Sequence, residues 1–117
     1  MKKIGYALVL ALLIWGGRVN SAPQRLSPTE LNKAVTQLQG WQIKEGKLRK
    51  IYQFKDFVDA FSFMTRVAFA AENLQHHPEW FNVYNKVTIE LVTHDVGGIS
   101  NLDIELASQI DRIYAQK

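Results

Sequence analysis

The chain has 117 residues, 47% of them hydrophobic and 21% charged, the proportions of one ordinary globular domain. Cysteine is absent, which excludes disulfides, thiolate metal sites and a cysteine nucleophile. The formal charge of +3 belongs to the N-terminus: Lys2, Lys3 and Arg18 are three of the 14 basic residues, and no acidic residue precedes Glu30. Without them the chain holds 11 charges of each sign. A nucleic-acid interface needs a concentrated basic surface. The one basic cluster, Lys47–Lys50 (KLRK), reads as a solvated hairpin edge, so no nucleic-acid partner is expected.

Residues 1–22 differ from the rest. Two lysines precede the uncharged apolar run Ile4–Trp15, which is shorter than the roughly 20 residues of a membrane-spanning helix. Basic start, apolar core and small residues, with Val19 and Ser21 three and one places before a cut after Ser21, match a signal peptide or membrane anchor. The competing reading is a helix packed on the domain. The segment is set apart from the fold, leaving residues 23–117 as the domain, and any membrane contact is expected only through an uncleaved leader.

Ser27, Pro28 and Glu30 form a capping box with proline at the first helical position, and Leu31, Ala34, Val35 and Leu38 follow helical spacing towards Gly40. The stretch WQIKEGKLRKIYQF reads as two strands around a turn at Glu45–Lys47, with Gly46 supplying the permissive backbone. Asp56 caps a longer helix whose apolar stripe is read as Phe57, Phe61, Met64, Val67, Ala68 and Ala71. After the loop ENLQHHPEW comes a short strand at Phe81–Tyr84. Val87, Ile89 and Leu91 then alternate with Thr88, Glu90 and Val92 as a strand buried on one face. Ser100 and Asp103 form a second capping box, and Leu102, Leu106, Ile110 and Ile113 stripe the last helix. Hairpins separated by helices predict an α+β, two-layer domain: a four-stranded antiparallel sheet with helices on one face, in the order α-β-β-α-β-β-α.

All three histidines, His76, His77 and His94, fall within 19 positions. Histidine moves its proton near neutral pH, so such a cluster can supply both donor and acceptor. Pro78 pushes His77 to an extended conformation, in which neighbouring side chains point to opposite sides. That argues against a three-histidine zinc site, whose nitrogens must converge on one ion. No metal is expected. The bland alternatives are structural histidines, a core role for Trp80, Phe81 and Tyr84, a purely capping Asp103 and an exposed Glu72 at a helix end.

Residues 72 to 103 nevertheless resemble the signature of the pterin-4a-carbinolamine dehydratases: Glu72, His76-His77-Pro78, Tyr84, His94 and Asp103, at the spacing of that family, with HHPEWFNVYNKV close to its best-known stretch. The resemblance runs in element order from about Leu26 to Ile113 and leaves out the leader. It implies an α+β fold and a lyase that removes water from a 4a-hydroxytetrahydropterin to give the quinonoid dihydropterin. It also implies that no cofactor is needed, since the pterin is the substrate. Carried over by position, it implies active-site histidines His76, His77 and His94 with Glu72 and Asp103 as supporting carboxylates. Of these, His76 and His77 are the proton-transfer candidates, while His94 binds and orients the pterin and Trp80 packs beside its ring. A homodimer or homotetramer is implied too. The alternative function is a non-catalytic pterin-binding or dimerisation module acting as a co-regulator. Pterin recycling points to the cytoplasm and the leader to export, so localisation stays open here.

Overall fold

A computed structural model describes residues 22–116. The proposed leader, residues 1–22, lies outside the described residues except for Ala22. Eight elements follow one another: α1 (Pro28–Thr36), β1 (Gln42–Lys44), β2 (Lys47–Gln53), α2 (Phe57–Leu74), β3 (Glu79–Val83), β4 (Lys86–Leu91), a 3-10 turn (His94–Val96) and α3 (Asn101–Ala115). The strands form one antiparallel sheet in the order β1-β2-β4-β3, so the two hairpins join through β2 and β4. This is the α+β fold and the element order that the sequence predicts.

The local signals account for where these elements start and turn. Ser27 and Ser100 each make a full capping box, with Glu30 and Asp103, and the Asp56 side chain accepts from Asp59 N. Glu45 and Gly46 both have positive φ (51° and 76°), as a two-residue hairpin turn that matches strand twist requires. The first helix closes at Thr36, four residues short of Gly40, with Gln37 as its cap. β3 begins two residues earlier than expected, at Glu79, and Tyr84 belongs to the turn after it.

The inner sheet face carries Leu48, Tyr52, Val87, Ile89 and Leu91, all buried against Ala60, Phe63, Val67 and Ala71 of α2 and Leu106, Ala107 and Ile110 of α3. Each such large apolar side chain contributes about 1.5–3 kcal/mol on burial. The α2 stripe differs from the one read in sequence: Phe57 and Phe61 are exposed, and Ala60 and Phe63 take the core positions. The basic cluster is not an edge either, because β2 is an interior strand. Its residues alternate between faces, with Lys47 bonded to Glu79 and Lys50 to Asp111.

Candidate active site

The histidines gather at one end of the domain, where α2 ends, β3 begins, β4 ends and α3 starts. Local backbone geometry places them. Gln75 caps α2 in the left-handed region (φ 52°), its N–H bonding Ala71 O and Glu72 O, and His76 N bonds Ala71 O in turn. This reversal aims His76 at the start of α3, while the extended step into Pro78 sends His77 the other way. His94 follows the last residues of β4 into the 3-10 turn, whose cap Gly97 has positive φ.

Each histidine meets a carboxylate through Nε2. His76 Nε2 lies 2.5 Å from Asp103 Oδ1, a pair with Asp103 fully buried and His76 nearly so. His77 Nε2 lies 2.5 Å from Glu72 Oε1, five residues earlier, and both side chains are open to solvent. His94 Nε2 lies 3.0 Å from Glu79 Oε1, and Glu79 Oε2 bonds Lys47 Nζ. A histidine held through one ring nitrogen has a fixed ring plane and a preferred tautomer, which presents the other nitrogen, Nδ1, in a set direction. Asp103 is the most constrained group, since its Oδ2 also accepts from Ser100 N–H and the Thr93 hydroxyl, both at 2.8 Å.

Electrostatics distinguish the outer pair. The hydrogen bond from Lys47, then that from His94, holds the Glu79 carboxyl below the usual range, and the same contact raises Lys47. Glu79 therefore faces His94 as a carboxylate throughout the neutral range. Trp80 sits opposite Ile89 on the helix-facing side of the edge strand β3 and is 38% exposed, so its ring is half open at this end of the sheet.

The sequence-predicted residues thus come together as two carboxylate pairs, His76 with Asp103 and His77 with Glu72. The partner of His94 was missed. Glu79 lies 15 positions from His94 and is brought to it because Glu79 pairs with Glu90 across the β3–β4 ladder, near the strand end that His94 follows. Thr93 and Ser100 were missed also; Ser100 reads only as a cap, and no motif in the sequence singles out Thr93. Among the described residues no group of three or more His, Cys, Asp or Glu side chains could hold a metal ion, in keeping with the pairwise arrangement. A cleft of about 660 Å³, lined by residues such as Lys55, Asp59, Arg66 and Tyr114, lies at the opposite end, where β2 and α3 finish. It shares no residue with the histidine pairs.

The family model for pterin 4 alpha carbinolamine dehydratase matches residues 24–113. A Synechococcus sp. (strain WH7803) protein provisionally named a pterin-4-alpha-carbinolamine dehydratase is 53% identical over 88 residues, 75% of this chain and 95% of that protein. A protein of the same provisional name from Solibacter usitatus (strain Ellin6076) is 48% identical over 91 residues, 78% and 96% of the two chains. The crystal structure of a transcriptional coactivator/pterin dehydratase from Brucella melitensis superposes with a TM-score of 0.76 at 43% identity, covering 78% of this chain and 99% of that one. With the whole described fold matched and the histidine–carboxylate pairs at one end of it, this chain belongs to the pterin-4-alpha-carbinolamine dehydratase family of hydro-lyases.

Proposed function

We propose that the protein dehydrates a 4a-hydroxytetrahydropterin to the quinonoid dihydropterin by histidine acid/base catalysis. The observation that carries this reading is the set of three imidazoles at one end of the fold, each oriented by its own carboxylate. The reaction breaks the C4a–O bond and forms a C4a=N5 double bond. The hydroxyl leaves as water after taking a proton, and the N5 proton passes to a base. Two proton positions are needed, and in this reading His76 and His77 supply them, each ring held through Nε2 by its own carboxylate. Positioned groups of this kind contribute about 10²–10⁴-fold each. His94, tied to Glu79 and Lys47 on the rim, orients the pterin, and the half-open Trp80 packs beside its ring. No cofactor takes part, because the electrons of the new double bond come from the substrate.

The enzyme works as a homo-oligomer in this reading. Phe57, Val58, Phe61 and Phe69 leave α2 with an exposed apolar side, and Phe81 and Val83 do the same for the edge strand β3. Apolar area of that extent on a small domain calls for cover. A second reading, a dimerisation module acting as a co-regulator, draws on the same surfaces and on the double description of the Brucella relative.

The test is a stopped-flow dehydration assay on residues 23–117 with freshly generated 4a-hydroxytetrahydropterin, run beside His76→Ala, His77→Ala and His94→Ala. Acceleration by the wild type that falls at least 10²-fold in His76→Ala and His77→Ala, with a raised KM in His94→Ala, is expected. A folded wild type without acceleration overturns the enzymatic reading and leaves the co-regulator. Light scattering on the same samples gives the number of subunits.

A further inference from the structure

We propose that Thr93 is a positioning residue for the site, holding Asp103 in the orientation that fixes the ring of His76. The hydrogen positions follow from counting donors. Thr93 Oγ1 lies 2.8 Å from Asp103 Oδ2 and 2.6 Å from Ser100 Oγ. A carboxylate only accepts, so the single hydroxyl proton of Thr93 goes to Asp103. Ser100 must then donate its own proton to Thr93 Oγ1, and its lone pairs remain free to accept from Leu102 N–H at 3.1 Å. The resulting chain converges on Asp103: the Ser100 hydroxyl donates to Thr93 and the Thr93 hydroxyl to Asp103 Oδ2, while His76 donates its Nε2–H to Asp103 Oδ1. His76 Nδ1 is left as the nitrogen that Asp103 does not engage.

The chain is buried, since Thr93, Ser100 and Asp103 are each at most 5% exposed. Water therefore does not compete for these bonds, and a missing donor is not readily replaced. The Thr93 backbone is pinned as well: its N–H bonds Gly98 O at 3.0 Å, and its carbonyl accepts from Val96 N–H and Gly98 N–H. The loop that carries His94 and the bond that aligns His76 thus share one residue. The side-chain hydrogen bonds of Thr93 go to Ser100 and Asp103 and not to His76, so it acts on the ring through Asp103.

The inference rests on the reading that His76 acts in the dehydration, and it is tested separately from it. Thr93→Val keeps the shape and removes the hydroxyl, and Thr93→Ser restores the hydroxyl in a smaller side chain. Long-range ¹H–¹⁵N correlation of the free protein is expected to show His76 as the Nε2–H tautomer in the wild type and Thr93→Ser, and as a tautomer mixture in Thr93→Val. In the dehydration assay Thr93→Val is expected to lose about tenfold or more in kcat with KM nearly unchanged, since small misplacements of a catalytic group cost up to about 10²-fold, and Thr93→Ser to recover most of it. A wild-type tautomer signature in Thr93→Val overturns the proposal. A changed signature with unchanged kcat leaves the positioning intact and removes His76 from the mechanism. If Thr93→Val does not fold, the wild type decides: a slowly exchanging Thr93 hydroxyl proton is expected, and a freely exchanging one overturns the proposal.

Discussion

His76 and Asp103 meet at 2.5 Å inside the protein, and Asp103 is at the same time the residue that closes the capping box of α3. One buried carboxylate thus starts a helix and aligns an imidazole. The two tasks separate by substitution. Asp103→Ala removes the acceptor for Ser100 N–H, for Thr93 and for His76, and each buried donor left unpaired costs about 1–3 kcal/mol. Asp103→Asn keeps an acceptor oxygen for Ser100 N–H and loses the charge. Urea unfolding is expected to show the larger stability loss in Asp103→Ala, while both variants lose dehydration activity. Equal stability in Asp103→Ala and wild type contradicts a structural role for the pair.

The second pair behaves differently because it is wet. His77 and Glu72 have side chains 60% and 70% exposed, and exposed pairs contribute about 0–1 kcal/mol. His77→Ala is therefore expected to leave the unfolding midpoint close to wild type while turnover falls by about 10²–10⁴-fold. Glu72→Gln, which releases the ring without removing it, is expected to fall between the two. A His77→Ala enzyme with undiminished kcat excludes His77 from proton transfer.

How much of this was legible in the sequence depends on the distance over which each signal acts. The caps at Ser27, Asp56 and Ser100 and the turn at Gly46 are local, and each stands where its residue type predicts. Element order and the buried face of β4 follow from short-range alternation and are equally plain. The histidine pairings act across the fold. His76 and Asp103 are 27 residues apart, and His94 finds Glu79 only through strand pairing, so spacing alone could not assign them. Resemblance to a family supplied the residues in the first two pairs but not Glu79, Thr93 or Ser100.

Glu79 links the site to pH. Its carboxyl is held below the usual 4.5 chiefly by the Lys47 hydrogen bond and next by that of His94. A lowered folded value means that the stabilisation is present above about pH 4.5 and is lost as pH falls through the lower folded value. Exposure keeps the effect small. Removing the cation is expected to raise the Glu79 midpoint, so that Lys47→Met loses the His94 contact at a higher pH than the wild type. A ¹³C titration of the Glu79 carboxyl reads this directly, and an unmoved midpoint contradicts it.

An alkaline limit has a separate origin. Tyr52 is buried, and its hydroxyl donates to Asp111 Oδ1 at 2.5 Å beside Trp41 Nε1 and Lys50 Nζ, which bond the same carboxylate. Burial first, then the Asp111 hydrogen bond, raises the phenol above its ordinary value. The unfolded chain loses that proton near pH 10 and the folded one does not, so stability is full below pH 10 and declines as pH rises beyond it. Thermal melts across this range are expected to fall for the wild type, and Tyr52→Phe is expected to flatten the Tyr52 part of that slope at the cost of a lower midpoint at neutral pH. A Tyr52→Phe protein with the wild-type alkaline slope rules this origin out.

The helix α2 offers the sharpest contrast between pattern and packing. Apolar residues occupy most of its circumference, from Phe57 and Val58 through Phe61, Phe63 and Val67 to Phe69, so helical spacing alone permits two adjacent stripes. The sheet resolves the choice by setting Phe63 against Tyr52 and Phe54, with ring centroids 5.0 and 4.9 Å away, and leaving Phe61 59% exposed. Phe63→Ala is expected to cost about 3–5 kcal/mol, the range for a buried phenylalanine. Phe61→Ala is expected to cost the isolated subunit under about 0.5 kcal/mol, as surface changes do. Under dilution, a Phe61→Ala protein that dissociates at a higher concentration than the wild type assigns this face to subunit contact. Equal unfolding losses for the two variants contradict the packing of α2.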